Sequence, residues 1–397
     1  MMEARKHKIA FLISHPIQYY TPFFKKLSEH PQVDLTVYFC LQIGHKEHFD
    51  PGFNTNYKWD IPLLEGYAYK FLKNYSPKPA PTLFGQINPG IIRELKKNKY
   101  DAMIIHGYTA CTNILALLGA WLTKTPIILK GEAVLPEKER KWKKMIKKII
   151  LWYVFKRVQA VLYAYKANKD FFRFYGVPEE KLFFYPSAVD NEFFQKKRKE
   201  LKGTKQLIKR KAGLKHANWP IILFVGKFIV RKRVMDLLQA VAKLKQKVNM
   251  NVLLIGDGVE KETLTNFVKK NNLENVYFKG FKNQSELPTW YSVANVFVLP
   301  SAFDPSPKAM NEAMNFGLPV VVTDEVKTAS DMVVENNAGF VYQAGNVDEL
   351  ASCIEKIVKD SSLRAKLGKN ALMVMDKWNF SNDIKGIIEA VNYIYKV

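Results

Sequence analysis

The hydrophobic positions of this chain follow two spacings, and each spacing predicts a different element. Short uninterrupted runs of aliphatic residues predict buried strands, as at Ile9 to Ser14, Ala102 to His106 and Pro220 to Val225. Between such runs, apolar residues recur every three or four positions, as in Val234 to Lys247, which is typical of amphipathic helices. Strands that alternate with helices predict an α/β fold with parallel sheets covered on both faces.

The alternation stops once and then restarts, which predicts two domains. Between Gln195 and Trp219 the composition turns to lysine, glutamine and small residues, as is typical of a linker. We therefore predict a doubly wound domain over residues 1–200, a linker over 201–218 and a second doubly wound domain over 219–378. Two such domains imply a cleft between them, where ligands commonly bind.

The stretch PSAFDPSPKAMNEAMNFGLPVVVTD, residues 300–324, places two acids and a lysine around a short predicted helix. Ser306 is a favourable N-cap and Pro307 suits the first helical position. The free N–H groups at such a helix start form an anion site, at the sheet edge where ligands usually bind. A capped surface helix with solvated charges fits the same pattern, so the stretch alone leaves both interpretations open.

The formal net charge of +24 indicates an anionic partner. Lysine and arginine concentrate in residues 138–157 and 196–215. The first of these segments, KERKWKKMIKKIILWYVFKR, has the pattern of a helix with aromatic and aliphatic side chains among lysines. Such a helix can lie on an anionic membrane surface, although a solvated helix with one face in the core gives the same pattern. We favour the membrane over a specific nucleic-acid partner.

Cysteine usage and the start of the sequence predict the compartment. The three cysteines, Cys40, Cys111 and Cys353, are far apart and lack CxxC spacing, which argues against disulfides or a zinc site and for a reducing environment. The apolar segment before His15 is too short for a cleavable signal peptide. We expect a cytoplasmic protein, with peripheral attachment to the inner face of the cell membrane through residues 138–157.

Four motifs of the second half, taken in order, resemble one known family. They are FVGKFIVRKR (224–233), LLIGDG (253–258), VYFKGF (276–281) and the stretch at 300–324. Together they resemble family-4 retaining glycosyltransferases of the GT-B fold, and the HPIQYY start of the first half resembles a subgroup of them. The resemblance implies two Rossmann-like domains facing across a cleft, with a final helix, 379–397, that crosses back onto the first domain.

The resemblance also implies a donor site. In it Glu312 would bind ribose hydroxyls, and Asp304, separated from Glu312 by seven residues, would touch the transferred sugar. Aspartate stands at position 304 where the family usually has glutamate, which is longer by one methylene group. The other donor-binding residues would hold the diphosphate or seat the nucleobase: Gly226, Lys227, Lys232, Lys308 and Ala309 for the diphosphate, and Gly280 and Phe281 for the base.

The first half would then carry the acceptor side. His15, Gln18 and Tyr19 of the HPIQYY start and Glu132 are acceptor-side candidates. A turn histidine before a proline explains His15 equally well. His106 closes a predicted strand and falls where the family keeps a histidine facing the donor sugar, so with Lys227, Lys232 and Asp304 it completes the predicted catalytic set.

These residues predict sugar transfer without a metal or cofactor. The nucleotide-sugar, of unknown base, is a co-substrate, and the lysines and helix start would stabilise the charge of its leaving diphosphate. The resemblance implies retention of the anomeric configuration and a glycan or lipid-linked acceptor, in cell-surface polysaccharide or glycoconjugate synthesis. Alternatives are a nucleotide-sugar epimerase of the same fold and a non-enzymatic basic protein that binds nucleotides or nucleic acid.

Overall fold

The computed structural model describes residues 6–44, 47–50, 52–136 and 140–396. Its strands are short and mostly buried, as the aliphatic runs predict. In chain order they are β1 (His7–Ile13), β2 (Val33–Phe39), β3 (His48–Asp50), β4 (Thr55–Tyr57), β5 (Ala68–Phe71), β6 (Ala102–His106), β7 (Ile127–Lys130), β8 (Ala160–Tyr163), β9 (Leu182–Phe184), β10 (Ile221–Val225), β11 (Asn251–Ile255), β12 (Val276–Phe278), β13 (Val296–Leu299), β14 (Val320–Thr323) and β15 (Gly339–Tyr342).

The helices fall between these strands and pack their apolar faces onto the sheets. In chain order they are α1 (Tyr20–Ser28), α2 (Gly90–Asn98), α3 (Cys111–Thr123), α4 (Lys141–Lys156), α5 (Lys166–Phe174), α6 (Asn191–Glu200), α7 (Lys205–Lys211), α8 (Val234–Leu244), α9 (Lys261–Lys270), α10 (Leu287–Val293), α11 (Lys308–Asn315), α12 (Val347–Lys359), α13 (Ser361–Met375) and α14 (Phe380–Lys396). Positions 138 and 139 of the predicted basic helix and position 397 of the predicted final helix lie outside the described residues.

The first of two compact units contains the described residues up to 44, residues 62–187 and residues 380–396. Its sheet is parallel throughout, in the order β5-β2-β1-β6-β7-β8-β9. Helix α14 packs against β8 and β9 so closely that a Cβ on Gly386 would lie 2.0 Å from the Phe184 carbonyl oxygen. The amide of Ser187 also donates a 2.7 Å hydrogen bond to the buried carboxylate of Asp383 on α14.

The second unit contains residues 47–61 and 188–379. Its sheet is also parallel, in the order β12-β11-β10-β13-β14-β15. Every residue of the central strand β10 is buried, because helices cover both faces of the sheet. Two doubly wound parallel sheets confirm the predicted α/β class.

This division differs from the predicted boundaries at residues 188–218. Helix α6 belongs to the second unit, because Asn191 donates side-chain hydrogen bonds of 2.9 and 2.7 Å to the carbonyls of Met375 and Trp378. The predicted linker 201–218 contains α7 and buries Ala212 and Leu214, so it is folded. The lysine-rich composition there is that of a solvated helical surface.

Residues 47–61, which we call the hairpin segment, form the other difference. Strands β3 and β4 pair in antiparallel register, from His48 opposite Tyr57 to Asp50 opposite Thr55. Although flanked in sequence by the first unit, the hairpin segment packs with the second.

Among the described residues, no helix has the length and apolar content needed to span a membrane.

Candidate donor site and a second cluster

Three neighbouring strands of the second unit end in glycine at one edge of the sheet. Gly226 follows β10 and Gly256 follows β11, and the amide of Gly256 donates a 2.9 Å hydrogen bond to the carbonyl of Gly280 after β12. At Gly256, φ is +137° and a Cβ would lie 1.9 Å from the Gly226 carbonyl oxygen, so no larger residue fits. Because these three positions carry no side chain, a ligand at the carboxyl edge of the sheet can approach the backbone closely.

Two of the three predicted diphosphate lysines, Lys227 and Lys232, lie at this edge, and each meets a carboxylate. The ammonium group of Lys227 lies 2.8 and 2.9 Å from the two carboxylate oxygens of Asp50. Lys232 forms an ion pair with Asp304, in which both side chains are largely buried. Asp304 is also held by its backbone, since its amide donates to Glu325 and its carbonyl accepts from Lys327. The structure thus brings Lys232 and Asp304 together.

The helix that follows Asp304 starts one residue later than predicted. Pro307 has extended backbone angles and stands at the N-cap, so α11 begins at Lys308. Ser306 was predicted as the N-cap, and this is wrong: its hydroxyl accepts a 3.1 Å hydrogen bond from the Lys308 ammonium. Since no side chain caps α11, the helix start, with Lys308 and Ala309, keeps the donor character that suits an anion.

Glu312 lies on the buried face of α11. It is 1% exposed, and the Tyr291 hydroxyl donates a 2.7 Å hydrogen bond to its Oε2. Among the described residues, its other oxygen, Oε1, is buried without a hydrogen-bond partner. Burial raises the pKa of the Glu312 carboxyl to about 7, although the bond from Tyr291 and the nearby side chain of Gln284 act in the opposite direction. A buried acceptor without a donor is costly, and a ligand hydroxyl would satisfy it.

The predicted base position is covered by the hairpin segment. Around Gly280 a Cβ would meet open space, but the ring of Phe281 lies within 4.9 Å of Phe53 and 4.7 Å of Tyr57, between ring centroids. No pattern in the sequence predicts that these aromatic residues reach Phe281. Only the density of aromatic residues between Phe49 and Trp59 marks the segment.

A second cluster lies at the carboxyl ends of β6 and β7 in the first unit. The Lys130 ammonium is 3.4 Å from Nε2 of His106 and 3.3 Å from Oε1 of Glu132. The ring of Tyr20 lies 5.4 Å from that of His106 and faces the Lys130 ammonium. Burial by itself lowers the pKa of Lys130, but Tyr20 and Glu132 outweigh it and hold this pKa above its ordinary value. Sequence reasoning found His106 and Glu132 and missed Lys130, which is 1% exposed.

The three candidates from the HPIQYY start lie between β1 and α1. Nδ1 of His15 is 2.9 Å from the Ser14 hydroxyl, Gln18 is buried, and Tyr19 stands at the N-cap of α1. The next residue, Tyr20, contacts His106, so this loop adjoins the cluster of His106, Lys130 and Glu132. The predicted site residues therefore gather in two places, one in each unit.

Residues 205–373 match the protein family described as Glycosyl transferases group 1. The matched residues lie within the second unit and make up less than half of the chain. The match supports the predicted glycosyltransferase family for residues 205–373, while the retaining family-4 assignment and the HPIQYY subgroup stay predictions.

Named relatives of the group 1 domain are themselves glycosyltransferases. An uncharacterised glycosyltransferase of Methanocaldococcus jannaschii is 28% identical over 165 residues, which cover 42% of this chain and 46% of that protein. The capsular polysaccharide biosynthesis glycosyltransferase CapM of Staphylococcus aureus is 29% identical, with 38% of this chain and 40% of that protein covered. The chain thus spans about half the length or less of the curated relatives it matches.

Solved structures extend the similarity beyond the group 1 domain. HepE of Anabaena, in complex with UDP and glucose, matches with a TM-score of 0.71 over 97% of this chain and 99% of that chain, at 17% identity. WaaG, a glycosyltransferase involved in lipopolysaccharide biosynthesis, matches with a TM-score of 0.65 over 97% and 99%, at 16% identity. At these identities the similarity shows the fold, and it confirms the predicted GT-B class with two Rossmann-like domains.

Proposed function

We propose that this chain transfers a sugar from a nucleotide-sugar to a glycan or lipid-linked acceptor during synthesis of cell-surface polysaccharide or glycoconjugate. The observation that carries the proposal is the pairing of the uncapped start of α11 with the buried, unpartnered Oε1 of Glu312 on the same helix. A helix start binds phosphate oxygens, and a buried carboxylate oxygen accepts from a sugar hydroxyl. A nucleoside diphosphate carries both groups.

The charge at this edge suits the bond that breaks. As the anomeric carbon leaves the β-phosphate oxygen, the electron pair of that bond stays with the nucleoside diphosphate. Lys227, Lys232 and the amides at the start of α11 would stabilise the added charge. The acceptor oxygen forms the new bond to the anomeric carbon and gives its proton to an oxygen of the departing diphosphate, with retention of configuration as the family resemblance implies. No step requires a metal.

Donor binding is the first test, and UDP-sugars come first because HepE of Anabaena binds UDP and glucose. The protein would be incubated with a panel of nucleotide-sugars, and thermal shift and nucleoside-diphosphate release measured alongside Glu312→Ala. Glu262→Ala, at an exposed position of α9, is the matched control. We expect one donor to stabilise the wild type and the control but not Glu312→Ala, and to release its diphosphate slowly without an acceptor.

Two results would favour the alternatives. A free sugar epimer formed without an acceptor would indicate an epimerase. Indifference to every nucleotide-sugar, together with nucleic-acid binding that falls steeply with salt, would indicate a basic binding protein and refute the transferase.

We also propose that the first unit binds an anionic membrane surface through α4. Leu151 and Phe155 anchor this helix in the core, yet its other face exposes large apolar side chains among lysines. These exposed residues are Trp142, Met145, Ile146, Ile149, Ile150, Trp152 and Tyr153. A helix that combines a lysine-rich surface with exposed aliphatic and aromatic side chains suits the boundary between headgroups and acyl chains.

Vesicle co-sedimentation tests the membrane proposal. We expect binding to vesicles with anionic phosphatidylglycerol, weak binding to neutral phosphatidylcholine vesicles, and loss of binding in Ile149→Ser/Ile150→Ser. Leu207→Ser, which removes an exposed leucine from α7 in the second unit, is the matched control. Equal binding of the double variant and the wild type would refute the role of α4.

A further inference from the structure

The hairpin segment, residues 47–61, lies against the donor-site side chains of the second unit. At one end, Asp50 pairs with Lys227. In the middle, Phe53 and Tyr57 contact the ring of Phe281. The segment therefore covers both the position predicted for the diphosphate and the position predicted for the base.

The far end of the hairpin segment is held separately. The Asn283 side chain donates a 2.9 Å hydrogen bond to the carbonyl of Lys58, and the Ser285 hydroxyl donates to the Asp60 carboxylate. These contacts lie in the loop after β12 and involve none of the predicted diphosphate ligands. The two ends can therefore be perturbed independently.

Asp50 is built to hold the Lys227 ammonium. Its Oδ1 accepts hydrogen bonds from the amides of Gly52, at 2.7 Å, and Phe53, at 3.1 Å, which fix the carboxylate in the turn. The Phe53 ring centroid lies 4.7 Å from the same ammonium. Burial acts to raise the pKa of Asp50, but Lys227 and the turn amides outweigh it and keep this pKa below its ordinary value. The carboxylate is therefore charged at neutral pH.

A carboxylate and a phosphate offer a lysine the same partner, an anionic oxygen within hydrogen-bond distance. The ammonium of Lys227 already has both oxygens of Asp50 within 2.9 Å, so a diphosphate must compete for it. The hairpin has only three residues in each strand, and so small a two-stranded ribbon is marginally stable by itself. Its position thus depends on contacts such as the Asp50–Lys227 pair.

We propose that Asp50 is an internal competitor for the donor diphosphate at Lys227, so that the hairpin segment acts as a lid that a nucleoside diphosphate must release in order to bind. This inference rests on the proposed function, since it takes Lys227 as a diphosphate ligand. It also supplies a basis for selectivity: a neutral nucleoside brings no charge that can replace the carboxylate, whereas a diphosphate does.

Isothermal titration with UDP, GDP and ADP tests the lid, using the full chain and Asp50→Asn. Asparagine keeps an oxygen that can accept from the Gly52 and Phe53 amides, but it removes the charge that holds Lys227. We expect the dissociation constant of the preferred nucleotide to fall about fivefold, the effect of removing one partly exposed ion pair. Asp60→Asn is the matched control, because it removes the same charge from the same segment at the end that contacts Ser285.

A third variant, Lys227→Met, separates this inference from the proposed function. The lid is refuted, and the donor site stands, if three results occur together. These are nucleotide binding by the wild type, weaker binding by Lys227→Met, and no tighter binding by Asp50→Asn. An equal gain in nucleotide affinity in Asp50→Asn and Asp60→Asn also refutes the lid, because the gain would then come from the change in the protein's net charge. If the wild type binds none of the nucleotides, or binds equally well with Met at 227, the proposed role of Lys227 fails and the lid fails with it.

Discussion

Replacing Glu312 with glutamine should stabilise the ligand-free protein at alkaline pH while weakening donor binding. The carboxyl is 1% exposed, and burial raises its pKa from 4.5 to about 7. The folded protein binds the proton of Glu312 more tightly than the unfolded chain does. The free energy of unfolding therefore falls as the pH rises from the unfolded pKa, 4.5, to the folded pKa, about 7. At about 1.4 kcal/mol per pKa unit, the cost of ionising Glu312 is about 3 kcal/mol, complete above about pH 7. Glutamine cannot ionise, so it avoids this cost.

The measurement is urea-induced unfolding of both proteins, followed by tryptophan fluorescence in steps from pH 5 to pH 8. The amide oxygen of the variant can still accept the hydrogen bond from Tyr291. The part of the difference in unfolding free energy that does not depend on pH should therefore be small. The difference between variant and wild type should grow by about 2.5 kcal/mol in favour of the variant over that range, because the unfolded chain is already largely ionised at pH 5. Glu262→Gln, at an exposed position of α9, controls for the loss of one carboxylate.

Donor binding should change in the opposite direction. If a ribose hydroxyl donates to the unpartnered Oε1, replacing the charged acceptor costs about 2 kcal/mol, or roughly thirtyfold in the dissociation constant at pH 8. Titration of the nucleoside diphosphate measures it. If the stability difference between variant and wild type does not change with pH, the claim that Glu312 ionises at a cost in the folded protein is refuted. If the nucleotide affinity is unchanged, the claim that Glu312 binds the donor is refuted.

Three further predictions concern other parts of the site. Lys130→Met removes a buried cation beside Glu132 and should destabilise the first unit by about 3 kcal/mol in urea unfolding. A loss below about 1 kcal/mol would contradict the claim that the Lys130 charge stabilises this unit. Gly256→Ala should cost about 2 kcal/mol or more because its Cβ would overlap a carbonyl oxygen, whereas Gly203→Ala, where nothing lies within 4 Å, should be almost neutral by the same measurement. Asp304→Asn should lower kcat about 100-fold in a diphosphate-release assay, and full activity would exclude it from catalysis.

Local patterns predicted most of the second sheet and its edge. The apolar run at Pro220 to Val225 became β10, and a glycine follows it because the turn must approach its neighbour closely. The spacing of Asp304 and Glu312 placed one acid before a helix and the other on its buried face. Each of these features depends on residues within one or two turns of each other, so periodicity and turn chemistry are enough to reveal it.

Partners distant in sequence decided the rest. Asn191 bonds to Met375 across 184 positions, and this contact, which composition cannot show, assigns α6 to the second unit. The hairpin segment reaches Lys227 from 177 positions away, so its aromatic residues gave no sign of covering Phe281. Lys130 follows an aliphatic run in the sequence, but only the packed structure shows that its charge is buried.

The sequence by itself determined two parallel sheets, the glycine turns and the capacity of α11 to bind an anion, because these follow from backbone geometry and side-chain type in short segments. Only the tertiary structure decided which carboxylate meets each lysine and which oxygen of Glu312 has no donor. The physical reason is that burial and charge pairing depend on every element packed around a group. The chemistry of a site therefore depends on neighbours that local patterns cannot identify.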